Sequence, residues 1–462
     1  MTKNLTANLV AACNDLNYSN LPVDVIDRAK YFTLDSLGVA VRGMTEESSK
    51  VMLEFLESID AMSGGGVVVG TGKKVAYHYA AMINGAACHA LELDDVINES
   101  SLHPGTVIIP AALAASEMVG ATGKSFVEAV VVGYEVMSRL GAALNPKVHY
   151  ARGFHPSGTC GVFGATAAAA KIFGLSEKET VMALGLAGSQ AAGSMEFLTE
   201  GAWSKRFQVG WAAHSGILAS MLAKRKYTGP TDIIGGRFGF LHAYSDNVDP
   251  SKVTDGWGEG FQILNCSIKP HACCRYMQPG IDGVLEIVKE NKLKMTDIKE
   301  VTIGILEAGA AIIAEPAEVK YNPQTTYEAQ FSMPYGTAAA IIFGKLTLDI
   351  FTQENLRDQR IRDLIKKVKC VPDPELDKAY PKQWQATVTI ETVDGQKFYK
   401  KVEYPKGDPE NALTWEELIN KASDLTKNIY SQDDFKKIVS GIREIDKEED
   451  MRNFGTLMMK KA

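Results

Sequence analysis

The chain has 462 residues, of which 45% are hydrophobic and 23% charged, with a formal net charge of −7. That is an ordinary globular composition, long enough for two or three domains and a large core. The acidic balance excludes a broad nucleic-acid or anionic-membrane surface, which would need a basic field, but leaves room for a small anion held by a few placed cations.

The opening "MTKNLTANLVAACNDLNYSN" is mixed and polar, without the basic-then-apolar pattern of a secretory leader. Uncharged stretches such as "HPSGTCGVFGATAAAA" (155–170) are too short and too rich in Gly and Ala for a membrane span. A cytoplasmic protein is expected. Up to about residue 265 the pattern predicts helix after helix, with apolar residues at helical spacing in "VIDRAKYFTLDSLGVAV" and "FVEAVVVGYEVMSRLGAAL". Capping boxes are expected at Ser125 with Glu128 and at Ser176 with Glu179. Small residues dominate "GVFGATAAAAKIFG" and "MALGLAGSQAAGSM", which lets helix axes approach closely. "GTGKK" (70–74) lacks the earlier Gly and the Ser/Thr of a phosphate-binding loop. The seven cysteines have no disulfide-like framework and no Cys-x-x-Cys, so free thiols are expected and an iron–sulfur cluster is disfavoured.

Composition changes near residue 270. "IKEVTIGIL" (298–306) reads as a strand, 326–343 and 353–366 as helices, and "VTIETVDGQKFYKKVEY" (388–404) as a hairpin turning on the two residues Asp394-Gly395. After the loop "YPKGDPENAL" (404–413) helices return, with a capping box at Thr414 and Glu417. The expected architecture is mainly α: a large helical domain built from 1–266 and 406–462, with a smaller α+β domain, 267–405, inserted.

The stretch that carries chemistry is "HALELDDVINESSLHPG" (89–105), with Glu92, Asp94, Asp95 and Glu99 between two histidines. Asp94 and Asp95 followed by Glu99 resemble the aspartate-rich magnesium motif of helical terpene synthases. No second acidic cluster and no His-Glu-x-x-His accompanies them, so no metal is expected. A second reading is a solvated helix end, where Glu92, Asp95 and Glu99 would share one face, although carboxylates near the negative end of a helix dipole are mildly unfavourable. The third is acid/base work on a small acid, because His103, held in a loop before Pro104-Gly105, can move protons near neutral pH.

Three further loops support the third reading. "YARGFHPSGTCGVFG" (150–164) places His155 in a second His-Pro turn before a small-residue helix, whose N-terminus suits a carboxylate. "SKRFQVGWAAHSG" (204–216) places Lys205 and Arg206 ahead of another such helix. "SIKPHACCRYMQPGIDG" (267–283) gathers Lys269, His271, Cys273, Cys274, Arg275 and Tyr276 at the expected domain junction. Any one Lys alone reads as a surface charge; the four loops together point to a ligand bearing carboxylates.

The segments "NGAACHALELDD", "HPGTVIIPAALAASE", "GFHPSGTCGVFGATAAAA", "KRFQVGWAAHSG", "IKPHACCRYMQPGIDG" and "KGDPENALTWEEL", with their order and spacing, resemble the MmgE/PrpD family over nearly the whole chain. That family includes 2-methylcitrate dehydratases, cis-aconitate decarboxylases and iminodisuccinate epimerases. The resemblance implies a helical domain with a smaller α+β lid, an active site between them, and a homodimer. It puts Glu92 where many members have Asp, with Asp94 and Asp95 after it. It matches His103 and His155 to active-site histidines, Lys205 and Lys269 to the two active-site lysines, and Tyr321 of "VKYNPQ" to a lid tyrosine. Val96 stands where some members have Thr or Ser, and the Trp and extra His of "DDTWHP" variants are absent, which leaves the substrate open.

The implied activity is a cofactor-independent lyase, first a hydro-lyase dehydrating a 2-methylcitrate-like hydroxy polycarboxylate by acid/base elimination. Epimerisation and decarboxylation on the same fold, or a non-catalytic carboxylate binder, are the alternatives. In this scheme His103 is the acid or base, Glu92 or Asp94 orients it, Tyr321 joins the catalytic set, and His155, Lys205, Lys269 and Arg275 hold carboxylates. The small polycarboxylate is the partner; no nucleic acid or membrane is expected.

Overall fold

A computed structural model describes residues 4–460. The described chain divides into two compact units. One comprises the described residues of Met1–Ala90, Asp94–Cys266 and Thr414–Ala462; the other comprises Leu91–Leu93 and Ser267–Leu413. The fold is mainly α, with one mixed sheet in the second unit.

In the first unit the helices Tyr77–Cys88, Gly105–Val119, Gly123–Ala143, Gly161–Phe173 and Ser204–Lys224 pack against one another. Gly105–Val119 and Gly161–Phe173 are apolar on nearly every side and buried on nearly every side, as expected of central helices. Small residues set the spacing. A Cβ on Gly210 would fall 2.3 Å from the Met82 carbonyl oxygen, and one on Gly216 would fall 2.5 Å from the Ala165 Cβ. Helix Ser204–Lys224 therefore meets two neighbours at backbone distance, where any larger side chain would force the axes apart.

Both chain ends belong to this unit. Helix Trp415–Thr426 lies on helix Val23–Gly43, close enough that a Cβ on Gly38 would stand 3.2 Å from the Ala422 Cβ. Lys421 Nζ reaches the buried Asp35 carboxylate at 2.7 Å. Capping boxes start the helices at Ser176–Glu179 and Thr414–Glu417. The expected box at Ser125 is not formed. The helix begins at Gly123, Thr122 caps it by accepting the Ser125 N–H, and Glu128 accepts the Tyr18 N–H at 2.6 Å instead. The first four residues of "GTGKK", 70–73, lie in the turn of a short hairpin, Gly66–Val67 against Lys74–Val75.

The second unit carries a four-stranded sheet in the order Val368–Pro372, Ile298–Ile305, Ala386–Thr392, Lys397–Val402. The first pair is parallel, Val301 opposite Val368, and the other two pairs are antiparallel. Ala386, Val388, Ile390 and Thr392 alternate inward, and helix Gln278–Glu290 packs over them with Gly283 against Val388.

Two local expectations are corrected here. The hairpin turns on three residues, Val393-Asp394-Gly395, because Thr392 N–H donates to the Gln396 carbonyl at 3.0 Å; only Gly395 takes a positive φ, 87°. The helical stretches 326–343 and 353–366 are each broken, into Thr326–Gln330 with Met333–Phe343 and Gln353–Leu356 with Gln359–Ile365. Pro334 and the Ser332 and Asp358 caps restart the second members. Among the described residues no helix is long and apolar enough to cross a membrane.

Candidate functional site

Helix Tyr77–Cys88 ends with His89 at its C-cap, and residues 90–104 continue as turns with a two-residue strand, Val96–Ile97. The helical face imagined for Glu92, Asp95 and Glu99 is therefore not formed. Glu92 has φ 56°, which no right-handed helix accepts; Asp94 faces the two histidines of the stretch, and Asp95 takes donors as distant as Tyr134 and Cys266. Nor are its acids solvated in the main: Asp94 and Asp95 are 1% and 0% exposed, Glu92 is buried, and of the four only Glu99 is exposed, 3.4 Å from Lys252 Nζ.

Asp95 is the scaffold of this loop. Its carboxylate accepts the Gly105 N–H at 2.9 Å, the Tyr134 hydroxyl at 2.6 Å and the Cys266 thiol at 3.3 Å. It thus satisfies a free N–H at the start of helix Gly105–Val119. Burial pushes Asp95 up to about 6, against the Tyr134 and Gly105 hydrogen bonds that favour its anion. A side chain at Gly105 would strike Ser36 Oγ and this carboxylate, so the approach requires glycine.

His103 is aimed by this loop. Its Nδ1–H donates to the Asp95 carbonyl at 2.5 Å and lies 3.1 Å from Asp94 Oδ2, so both contacts are made by Nδ1 and neither by Nε2. Its backbone N–H donates to Ser157 Oγ at 3.1 Å. The His103 side chain is 14% exposed, whereas those of Asp94 and His89 are 1% and 0% exposed.

Behind His103, His89 donates Nδ1–H to the same Asp94 Oδ2 at 2.7 Å. Burial lowers His89 to about 4; Asp94 opposes that shift and Lys205 adds to it, so the ring is neutral at pH 7. His155, the N-cap of the short helix Pro156–Thr159, stacks on His89 with centroids 5.6 Å apart. Its Nδ1–H donates to Gln208 Oε1 at 2.9 Å, and the Gln208 amide is oriented by donating to the Ser194 carbonyl at 2.8 Å. Burial, then His89 and Lys205, hold His155 well below the ordinary histidine range, so its Nε2 carries a lone pair. Lys205 stands in the first turn of helix Ser204–Lys224, inside the helix rather than ahead of it. Asp94, His103, His155 and Lys205 are thus brought together in the first unit.

In the second unit Lys269 is 1% exposed, with Nζ 3.9 Å from Glu92 Oε2. Gln330 ties their segments, donating to the carbonyls of Leu91 at 3.1 Å and Ala272 at 3.0 Å. His271 Nε2 pairs with Asp282 at 2.8 Å, and Asp282 also accepts the Lys406 N–H at 2.7 Å. Arg275 is buried against Asp408, with its guanidinium 5.3 Å over the Trp384 ring, so its charge already has a protein partner. Tyr321 lies against the Cys370 thiol, and burial raises its phenol to about 12. These contacts give Arg275 and Tyr321 places in the packing of this unit.

Sequence reasoning missed His89 and Gln208. The first was visible as the opening histidine of the acidic stretch; the second lies 53 positions from the histidine it orients and has no local signature. None of the seven cysteines is in a disulfide. Among the described residues no group of three or more His, Cys, Asp or Glu side chains is arranged to hold a metal ion.

Residues 7–252 match the MmgE/PrpD N-terminal domain and residues 271–445 the MmgE/PrpD C-terminal domain. The chain is 28% identical to the cis-aconitate decarboxylase-like protein oryM of Aspergillus oryzae, over 97% of this chain and 96% of that protein. It is 27% identical to a cis-aconitate decarboxylase of Aspergillus terreus, over 97% and 94%. A 2-methylcitrate dehydratase of Salmonella typhimurium is 22% identical over 85% of this chain and 84% of its own.

Proposed function

The chain belongs to the MmgE/PrpD family, and on that premise we propose that it is a lyase of small polycarboxylates in which His103 delivers the proton. The observation that carries this reading is the seating of His103. Its Nδ1 is committed to the Asp95 carbonyl and Asp94, its Nε2 is left to act, and Lys205 stands among the same imidazoles.

The first reaction class is decarboxylation of a cis-aconitate-like acid. The C–C bond to one carboxylate breaks, CO₂ leaves, and the electron pair passes into the system conjugated with a neighbouring carboxylate. His103, protonated at both ring nitrogens, then gives its Nε2 proton to carbon and is left as the neutral Nδ1–H ring, which regains a proton from solvent. That sequence needs one proton donor, and the cluster offers one partly exposed imidazole, His103, with the neutral, buried His89 and His155 behind it. The similarity to cis-aconitate decarboxylases over nearly the full length supports the same class. Lys205 would neutralise charge building on the conjugated carboxylate, the interaction that accelerates the step. Lys269, by its resemblance to a family lysine, is proposed as a second carboxylate-binding cation, with Glu92 as its counter-charge.

Dehydration of a 2-methylcitrate-like hydroxy acid is the second reading. Elimination needs a base as well as an acid, and the lone pair on His155 Nε2 is an observation in its favour. Proton NMR in D₂O with EDTA, on cis-aconitate, 2-methylcitrate, citrate and substituted succinates, tests both. A new methylene with CO₂ release from cis-aconitate supports the first reading. Loss of water with a new vinyl signal from a hydroxy acid supports the second. Deuterium uptake without net change indicates epimerisation, and saturable binding without turnover of any acid would defeat the lyase reading.

A further inference from the structure

His89 has no part in the scheme above, yet it is the most deeply placed member of the cluster. One carboxylate oxygen, Asp94 Oδ2, faces two Nδ1–H groups, that of His89 at 2.7 Å and that of His103 at 3.1 Å. A carboxylate oxygen already engaged by one donor is a weaker partner for the next. His89 Nε2 is buried without a hydrogen-bond partner among the described residues, so Nδ1 makes the side chain's one hydrogen bond. The charged and titratable groups that face the ring are Asp94 on the loop, His103 5.1 Å away between centroids, His155 stacked at 5.6 Å, and Lys205 from helix Ser204–Lys224.

Resting on the assignment of His103 as proton donor, we propose that His89 is a positioning residue. By donating Nδ1–H to Asp94 Oδ2 it holds that oxygen against His103 Nδ1 and takes up part of its accepting capacity, which sets the pH range over which His103 delivers its proton. Two features make a neutral imidazole suited to this. It fixes the carboxylate through a directed hydrogen bond, and it adds no positive charge, so the single negative charge of Asp94 remains available to the cation formed on His103. A lysine or a charged histidine at this position would cancel that charge and repel His103. Burial keeps His89 in the required state.

The test uses the full-length protein with His89→Leu, which removes the donor, and His89→Asn, whose amide N–H can replace it. Hydrogen–deuterium exchange at histidine C2, read by mass spectrometry, follows His103 with no substrate present, so it remains informative if the lyase reading fails. In His89→Leu the midpoint of the His103 exchange curve should move up by about one pH unit, because Asp94 now serves one imidazole. His89→Asn should recover most of that displacement. Where turnover is measurable, the pH dependence of kcat should move in the same direction while KM changes by less than roughly twofold. An unmoved His103 curve in His89→Leu, or equal displacement in the two variants, overturns the proposal. If His89→Leu does not fold, nitrogen-15 NMR of the histidine-labelled wild-type protein decides. His89 must be the neutral Nδ1–H tautomer at neutral pH; an Nε2–H tautomer or an imidazolium overturns the proposal. Absence of turnover with the exchange displacement intact would sink the lyase reading and leave the positioning role of His89 standing.

Discussion

Replacing Glu117 by Gln should remove a large pH dependence from the stability of the first unit. Glu117 lies near the end of helix Gly105–Val119, the helix whose start is tied to Asp95 behind His103. Its Oε2 accepts the Val67 N–H at 3.2 Å, while its buried Oε1 has no partner among the described residues. Helix Met451–Leu457 presses on that oxygen so closely that a Cβ on Gly455 would fall 1.8 Å from it. Burial raises the carboxyl from 4.5 to about 8, against the pull of Val67 N–H and Lys74, so the folded protein carries it protonated at neutral pH.

Between pH 4.5 and about 8 the unfolded chain has lost this proton and the folded chain keeps it. The contribution is therefore complete below the unfolded value, is lost as pH rises towards the folded value, and is constant beyond it. The displacement corresponds to about 5 kcal/mol at about 1.4 kcal/mol per pH unit. Gln cannot titrate. Its second amide N–H has no acceptor there, which adds a pH-independent cost of about 1–3 kcal/mol. Urea unfolding of both proteins across this range should show the wild type losing stability relative to Glu117→Gln by roughly 5 kcal/mol as pH rises, with similar m-values. Two curves that stay parallel from acid to alkaline pH would falsify the reasoning.

His103→Ala should keep its circular dichroism and melting temperature while kcat falls by about 10²–10⁴, the usual weight of a proton-transfer group; full activity would overturn its role. Lys269→Ala should lower kcat/KM for the polycarboxylate and, by removing the cation beside the buried Glu92, destabilise the second unit by roughly 3–5 kcal/mol, measured by chemical unfolding; an unchanged kcat/KM would remove Lys269 from substrate binding. Gly210→Val should cost roughly 1–3 kcal/mol or more, because its Cβ would enter the Met82 carbonyl; an unchanged melting temperature would show that the helices can separate there at no cost.

How far sequence carried the description depended on the range of the forces involved. Helix content, the α+β insert and the return to helix after residue 413 are written in apolar periodicity and in local caps such as Thr414 with Glu417, interactions between residues three or four positions apart. The same locality limited it. Whether Ser125 or Thr122 begins a helix depended on a neighbour three positions back, and Asp394-Gly395 read as a two-residue turn because only the pairing of Thr392 with Gln396 specifies three.

The site shows the division most clearly. Residue type and spacing singled out His103, His155, Lys205, Lys269 and the acids of 92–95, but the meaning of each acid was a tertiary matter. Asp95 became a cap because the Gly105 N–H and the Tyr134 hydroxyl reach it; Asp94 became a hub for two imidazoles; Glu92 became the counter-charge of Lys269. Sequence determined which groups are present and which segments are helical. Only the folded chain decided which groups lose water and which share an oxygen, because desolvation and hydrogen bonding depend on residues such as Gln208 and Tyr134 that are distant along the chain.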